Sequence, residues 1–144
     1  VDEAAAYRRI VDRQGDALLE LTFAEFIKSG DLDRHIKKVM KIYKVRRDLM
    51  CALLTKHLSK YFSFEIPKGG MAIWLKLHAA YSWDKVVELA LKEHLVIGDW
   101  FRYDPQNVGH NAIRLGFASY NEDEIRELVI KLTNAMKTYV MEKS

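Results

Sequence analysis

The run Ala112-Ile113-Arg114-Leu115-Gly116-Phe117-Ala118 decides how the chain is read, because the period of its apolar residues differs from that of the residues that follow. Ile113, Leu115 and Phe117 alternate with Arg114, Gly116 and Ala118, the two-residue period of a strand with one buried face. Immediately afterwards Ser119-Tyr120-Asn121-Glu122 has the spacing of a capping box. Ile125, Leu128, Val129, Leu132, Met136, Tyr139 and Val140 then recur at helical spacing. A strand that feeds a long amphipathic helix calls for a sheet with a helical cover.

Working back from that run, Gly98 to Asn111 reads as a long irregular stretch carrying Trp100, Phe101 and Tyr103. Loops of this length within compact domains often serve function. Leu95-Val96-Ile97 reads as a short strand, and Ser82 is placed to cap a short helix through Val86, Val87 and Ala90. Phe62, Phe64 and Ile66 alternate with polar residues, Pro67-Lys68-Gly69-Gly70 supplies a turn, and Met71 to Leu77 reads as the partner strand of a hairpin. A long helix is expected from about Asp31 to Lys60, with Leu32, Ile36, Val39, Tyr43, Met50, Leu53, Leu54 and Leu58 as its apolar stripe. Before it, Ser29-Gly30 ends a helix over residues 16–28. The Leu18, Leu19, Leu21, Phe23, Phe26 and Ile27 side chains cover most of that helix, which predicts burial on more than one side. Residues 2–13 are polar and helix-prone. The order predicts an α+β fold, a small mainly antiparallel sheet packed by helices.

A length of 144 residues allows one domain, and 49% hydrophobic content excludes disorder and low complexity. No apolar run approaches the ~18 residues of a membrane span, and no signal peptide is visible. The single cysteine, Cys51, permits no internal disulfide and fits the cytoplasm. The chain begins at Val1 in a stretch that already reads as helix, which suggests a piece of something longer.

Most chemical constellations fail. His35, His57, His78, His94 and His110 are never three or four apart, so no helical metal pair exists. Cys51, between Met50 and Leu53, reads as a buried thiol rather than a nucleophile. Gly69-Gly70 leads into a strand and offers no helix N-terminus to a phosphate. Glu122, Asp123 and Glu124 suit the first turn of a helix through its dipole. Between Asp31 and Asp48, seven Lys or Arg face three Asp, so this segment carries the chain's positive excess. A solvated helix face is the ordinary reading, and docking on DNA or on an acidic domain is the other. Arg114 is the sharpest single residue. Gly116 and Ala118 share its face and have almost no bulk, leaving it room to fork a carboxylate. A structural salt bridge or a merely exposed arginine stands beside that reading.

Four segments occur in order: Gly30-x-Leu32-x-x-His35, Tyr43-x-x-Arg46-Arg47-Asp48, Pro67-x-Gly69-Gly70-Met71-Ala72-Ile73-Trp74, and Asn111-x-Ile113-Arg114-Leu115-Gly116-Phe117-Ala118-Ser119. Over essentially its whole length the chain resembles the C-terminal part of fold-type I, pyridoxal-phosphate-dependent aminotransferases. It is most similar to the aminotransferase-like domain of MocR-type, GntR-family bacterial transcription regulators, towards which Arg9-Ile10-Val11-Asp12-Arg13-Gln14-Gly15-Asp16 also points. The resemblance implies that residues 1–30 end the large domain and residues 31–144 form the small C-terminal domain. It implies that Arg114 binds the α-carboxylate of an amino-acid substrate or effector. Gly98-x-x-Phe101 resembles a Pro-Gly-x-x-Phe segment near the ligand, with Ile97 in place of the proline. Trp100, Phe101 and Met71 are therefore candidate site-lining residues, and Tyr43 and Arg47 fall at positions of packing and ion pairing. The Schiff-base lysine, the aspartate on the pyridine nitrogen and the phosphate-binding residues are expected upstream. No catalytic or cofactor-binding residue, no metal ligand and no activity are therefore expected of the fragment alone. The whole protein would hold pyridoxal 5'-phosphate, sense an amino acid, bind DNA through an N-terminal domain, and form a homodimer without membrane contact. A free-standing amino-acid aminotransferase is the alternative.

Overall fold

The computed structural model describes residues 2–11, 15–98, 100–104, 106 and 108–143. Asp12, Arg13 and Gln14 of the Arg9–Asp16 phrase lie outside the described residues, as does Pro105 of the long loop. The chain divides into two compact units, Val1–Lys41 and Ile42–Ser144.

The first unit holds α1 (Asp2–Val11), α2 (Ala17–Lys28) and the start of α3 (Asp31–Leu58). Asp16 caps α2 by accepting from the Leu19 N–H at 3.1 Å. Gly30 ends it at φ 75°, the left-handed conformation that glycine adopts without a Cβ clash. The burial expected for α2 is not found: none of its residues is buried, and Leu18 is 75% exposed. Apolar side chains spread around a helix need apolar surfaces on several sides. The polar sequence of α1 and the charged first turns of α3 supply none within this unit.

In the second unit, β1 (Phe62–Ser63), β2 (Ala72–Leu77) and β3 (Ala112–Gly116) form an antiparallel sheet in that order. Phe62, Ile73, Leu75, Leu77 and Ile113 point to its buried face, as does Phe117 just beyond β3. Met50, Leu54 and Leu58 of α3 cover that face together with Trp83 and Val86 of α4 (Trp83–Lys92) and the apolar stripe of α5 (Glu122–Lys143). Helices on one side of a small antiparallel sheet make the α+β architecture expected, and the other sheet face carries the exposed Ser63, Trp74, Lys76 and Arg114.

Three local expectations need correction. The hairpin ladder stops at Ser63, and Ile66 is exposed. The Pro67 carbonyl accepts from Arg47 Nη1 at 3.0 Å, so the connection is tied to α3 rather than to the sheet. Leu95-Val96-Ile97 pairs with no strand among the described residues. Its first N–H closes the end of α4 on the Ala90 carbonyl at 2.9 Å, after His94 takes a left-handed φ of 56°. Leu95 and Ile97 still pack on the core while Val96 is exposed, which is the alternation visible in the sequence without a ladder.

The capping box lies two residues later than expected. Asn121 Oδ1 accepts from the N–H groups of Asp123 (3.0 Å) and Glu124 (2.9 Å), and Glu124 Oε2 accepts from the Asn121 N–H at 2.7 Å. Arg46 Nη1 donates to the Ala118 carbonyl at 2.5 Å, holding the chain in a turn that delays the helix. Asn121→Ala is expected to cost about 1 kcal/mol of stability and Ser119→Ala less than about 0.5. Urea-unfolding midpoints check the order, and a larger loss at Ser119 would reassign the cap.

Candidate ligand site on the open sheet face

The face of the sheet turned away from the helices carries Ser63, Ala72, Trp74, Lys76, Ala112, Arg114 and Gly116 by strand alternation. Arg114 stands midway along the edge strand β3, directly across from Trp74 on β2. Ala112 and Gly116 flank it along its own strand, and Ala72 lies on a diagonal. A Cβ at Gly116 would sit 3.9 Å from the Met71 carbonyl oxygen, an ordinary contact. Glycine is thus not required there for backbone clearance, and its lack of a side chain leaves open floor beside the guanidinium.

Arg114 is exposed, and its side chain has neither a hydrogen bond nor an ion pair among the described residues. Two carboxylates of the neighbouring elements, Asp84 and Asp104, are engaged elsewhere. Asp84 accepts from Trp100 Nε1 at 2.9 Å. Asp104 accepts three backbone N–H bonds, from Val108 (2.9 Å), Gly109 (2.7 Å) and His110 (3.1 Å). Partial burial pulls its pKa up, but those N–H groups outweigh it and hold the carboxyl below the ordinary aspartate value. Asp104 therefore stays ionised as the clamp of the loop that leads into β3. An unpaired guanidinium on an uncrowded strand can take a carboxylate in two parallel hydrogen bonds.

A cavity of about 160 Å³ lies beside β3, bounded by Leu95, Ile97, Tyr103, Arg114 and Tyr120 among others. A wider groove of about 740 Å³ runs along the β1–β2 connection past Glu65, Pro67, Trp74 and Lys76.

The other candidates are distributed unequally. The Met71 carbonyl accepts from the Phe117 N–H at 3.0 Å, so Met71 stands at the Gly116 end of the sheet with its side chain half exposed. Trp100 opens the 3₁₀ turn Trp100–Tyr103, packs partly on the core and commits its indole N–H to α4. Phe101 is exposed, with its ring 6.5 Å from that of Trp100. Two aromatics not singled out for the site from sequence complete this region. Trp74 and Tyr103 meet edge to face, ring centres 5.8 Å apart at 82°. The alternation Ile73-Trp74-Leu75-Lys76 signals that Trp74 leaves the core, but its placement against Arg114 depends on register.

The remaining features resolve into structure. Burial pushes the Cys51 thiol above its usual pKa, as suits an inert core group. Tyr43 packs on the core, and Arg47 bonds Asp48 as well as the Pro67 carbonyl. Lys37, Lys38, Lys41 and Lys44 are exposed along α3. Among the described residues no cluster of three metal-ligating side chains exists, and no helix is long and apolar enough to cross a membrane.

No family model matches the chain. Relatives do. The HTH-type transcriptional regulator YdfD of Bacillus subtilis is 31% identical over 121 residues, which are 84% of this chain and 25% of the relative. Aromatic-amino-acid aminotransferase 1 of Thermococcus litoralis is 27% identical over 113 residues, 78% of this chain and 27% of that one. Among solved structures, kynurenine aminotransferase of Pyrococcus horikoshii superposes with a TM-score of 0.82 at 27% identity, over 93% of this chain and 33% of the other. The chain spans about a quarter of the length of the curated relatives it matches. Its homologues are thus HTH-type regulators and aminotransferases, and its fold is that of an aminotransferase-like domain.

Proposed function

We propose that this chain, an aminotransferase-like domain, is the effector-sensing part of a MocR-type transcription regulator of the cytoplasm. Residues 1–30 would close the large domain and residues 31–144 form the small one. The observation that carries the reading is Arg114, a guanidinium without a partner among the described residues, on the sheet face turned away from the helices and flanked by the small residues Ala112 and Gly116. Its role is to fork the α-carboxylate of an amino acid and so fix how that ligand lies on the sheet. Lys76 adds a second cation to the same face. This donor set fits the anionic end of an amino acid.

Pyridoxal 5'-phosphate, held by residues upstream of this chain, would supply the electron sink and the attachment point for the amino group. The chain's own share is orientation: Arg114 sets the carboxylate end, and the loop clamped by Asp104 leads into the strand that presents it. DNA would be bound by an N-terminal domain of a homodimeric protein. The ligand then acts by favouring one arrangement of the domains over another, a coupling typically worth about 1–3 kcal/mol. The relatives also favour a second reading, an amino-acid aminotransferase, because enzymes match this chain at comparable identity.

Measuring duplex-DNA affinity of the full-length, cofactor-loaded protein with and without amino acids decides between them. A ligand-dependent change of about 5- to 150-fold is expected. Sustained 2-oxo acid production with no DNA binding would sink the regulator reading in favour of the enzyme.

A further inference from the structure

We propose that Trp74 and Tyr103 form a side-chain subsite beside Arg114 that selects amino acids with an aromatic side chain, an inference that rests on the carboxylate role of Arg114. The antiparallel register sets Trp74 directly opposite Arg114 on the open face, a placement that puts Cβ atoms about 4.5–5.5 Å apart. Of the other near neighbours, Ala72, Ala112 and Gly116 do not rise above the pleat, and Lys76, on the second diagonal, is a flexible cation rather than a flat surface. A ligand forked by Arg114 therefore has one broad, rigid surface to lie against, the exposed indole.

Trp74 is not part of the buried core. The core of the sheet is built from the opposite face, by Ile73, Leu75 and Leu77, while Trp74 remains 40% exposed. Tyr103 meets it edge to face at 5.8 Å, an arrangement that fixes the indole plane and adds a second π surface, itself 39% exposed. Tyr103 also lines the cavity to which Arg114 contributes, and Trp74 lines the groove along the β1–β2 connection. The aromatic pair thus stands between the two hollows next to the clamp. Tryptophan and tyrosine offer large contact area at low cost in side-chain entropy, and a flat π-bearing group gains from stacking beyond its apolar area. Lys76, the remaining long side chain of the face, shares the groove with Glu65 and is paired across the ladder with Ser63 and Ala112 rather than with Arg114.

The test is calorimetric titration of the full-length, cofactor-loaded protein with phenylalanine, tyrosine, alanine and glutamate. Wild-type protein should bind phenylalanine about tenfold more tightly than alanine. Trp74→Ala should remove that preference while changing alanine affinity less than about twofold, and Trp74→Phe should restore most of it. Trp74→Leu, apolar but not aromatic, should fall between the two and guards against a folding defect in the alanine variant. Arg114→Gln should weaken all four ligands alike. Binding without any preference for phenylalanine, or a preference that survives Trp74→Ala, overturns the subsite and leaves the Arg114 reading standing. Preference for glutamate that disappears in Lys76→Ala does the same. Amino-acid binding that is unaffected by Arg114→Gln overturns the carboxylate reading and the subsite with it.

Discussion

Arg114→Ala in the full-length, cofactor-loaded protein is expected to weaken amino-acid binding by about 2–4 kcal/mol, roughly 30- to 1,000-fold in Kd. On the proposed role, the size follows from what the guanidinium would give the ligand, two charge-assisted hydrogen bonds in parallel to a carboxylate. Lysine at this position keeps the charge but not the fork, so Arg114→Lys should recover only part of the affinity. The variant is informative because it is structurally quiet. The Arg114 side chain is exposed and bonded to nothing among the described residues, and its nearest neighbours along that face of the strand are Ala112 and Gly116. Its removal leaves no buried donor or acceptor behind, so stability should change by less than about 0.5 kcal/mol. Cofactor absorbance should also persist, since the proposed contribution of this chain lies at the carboxylate end. Titration calorimetry on the three proteins, with thermal midpoints alongside, is the check. Unchanged amino-acid affinity in Arg114→Ala would withdraw the residue from the site.

The placement of Arg114 is legible in the sequence because a two-residue period is written in the side chains themselves: Ile113, Leu115 and Phe117 have to share the buried side. Its partner is not. Whether Trp74 or a neighbour stands opposite depends on how β2 registers on β3, and that is set by the packing of Ile73 and Leu75 with Leu115 and Ile113. The helix cap shows the same limit at shorter range. Ser119 and Asn121 each head a box of suitable spacing, with Glu122 and Glu124 respectively. What chooses between them is the bond from Arg46 to the Ala118 carbonyl, which joins residues 72 positions apart. Leu95 and Ile97 alternate with Val96 as a strand would, yet the first backbone N–H of that run goes to α4. In α2 the apolar residues mark a surface that wants partners, and the unit that contains it provides none. Local chemistry is readable in each case, and the missing element is a distant partner.

The largest stability loss is expected at Trp83. This residue opens α4 immediately after its Ser82 cap and is 1% exposed, with its ring 5.6 Å from that of Phe62 on β1. It thereby joins a covering helix to the first strand inside one apolar cluster that also includes Met50 and Phe117. Trp83→Ala should cost about 3–5 kcal/mol, the transfer free energy of the ring plus the cavity left behind. In a domain whose total stability is of order 5–15 kcal/mol, that is a large share. Trp83→Phe separates two contributions that the alanine variant merges. The indole Nε1 is buried without a hydrogen-bond partner among the described residues, and an unsatisfied buried donor costs about 1–3 kcal/mol. Phenylalanine gives up part of the ring's packing but also removes that orphan donor, so the net loss should stay below about 1.5 kcal/mol. Urea-unfolding midpoints measured for both variants decide the matter. If Trp83→Phe proves as damaging as Trp83→Ala, the indole N–H has a partner in solution, and the position is held by a hydrogen bond as much as by packing.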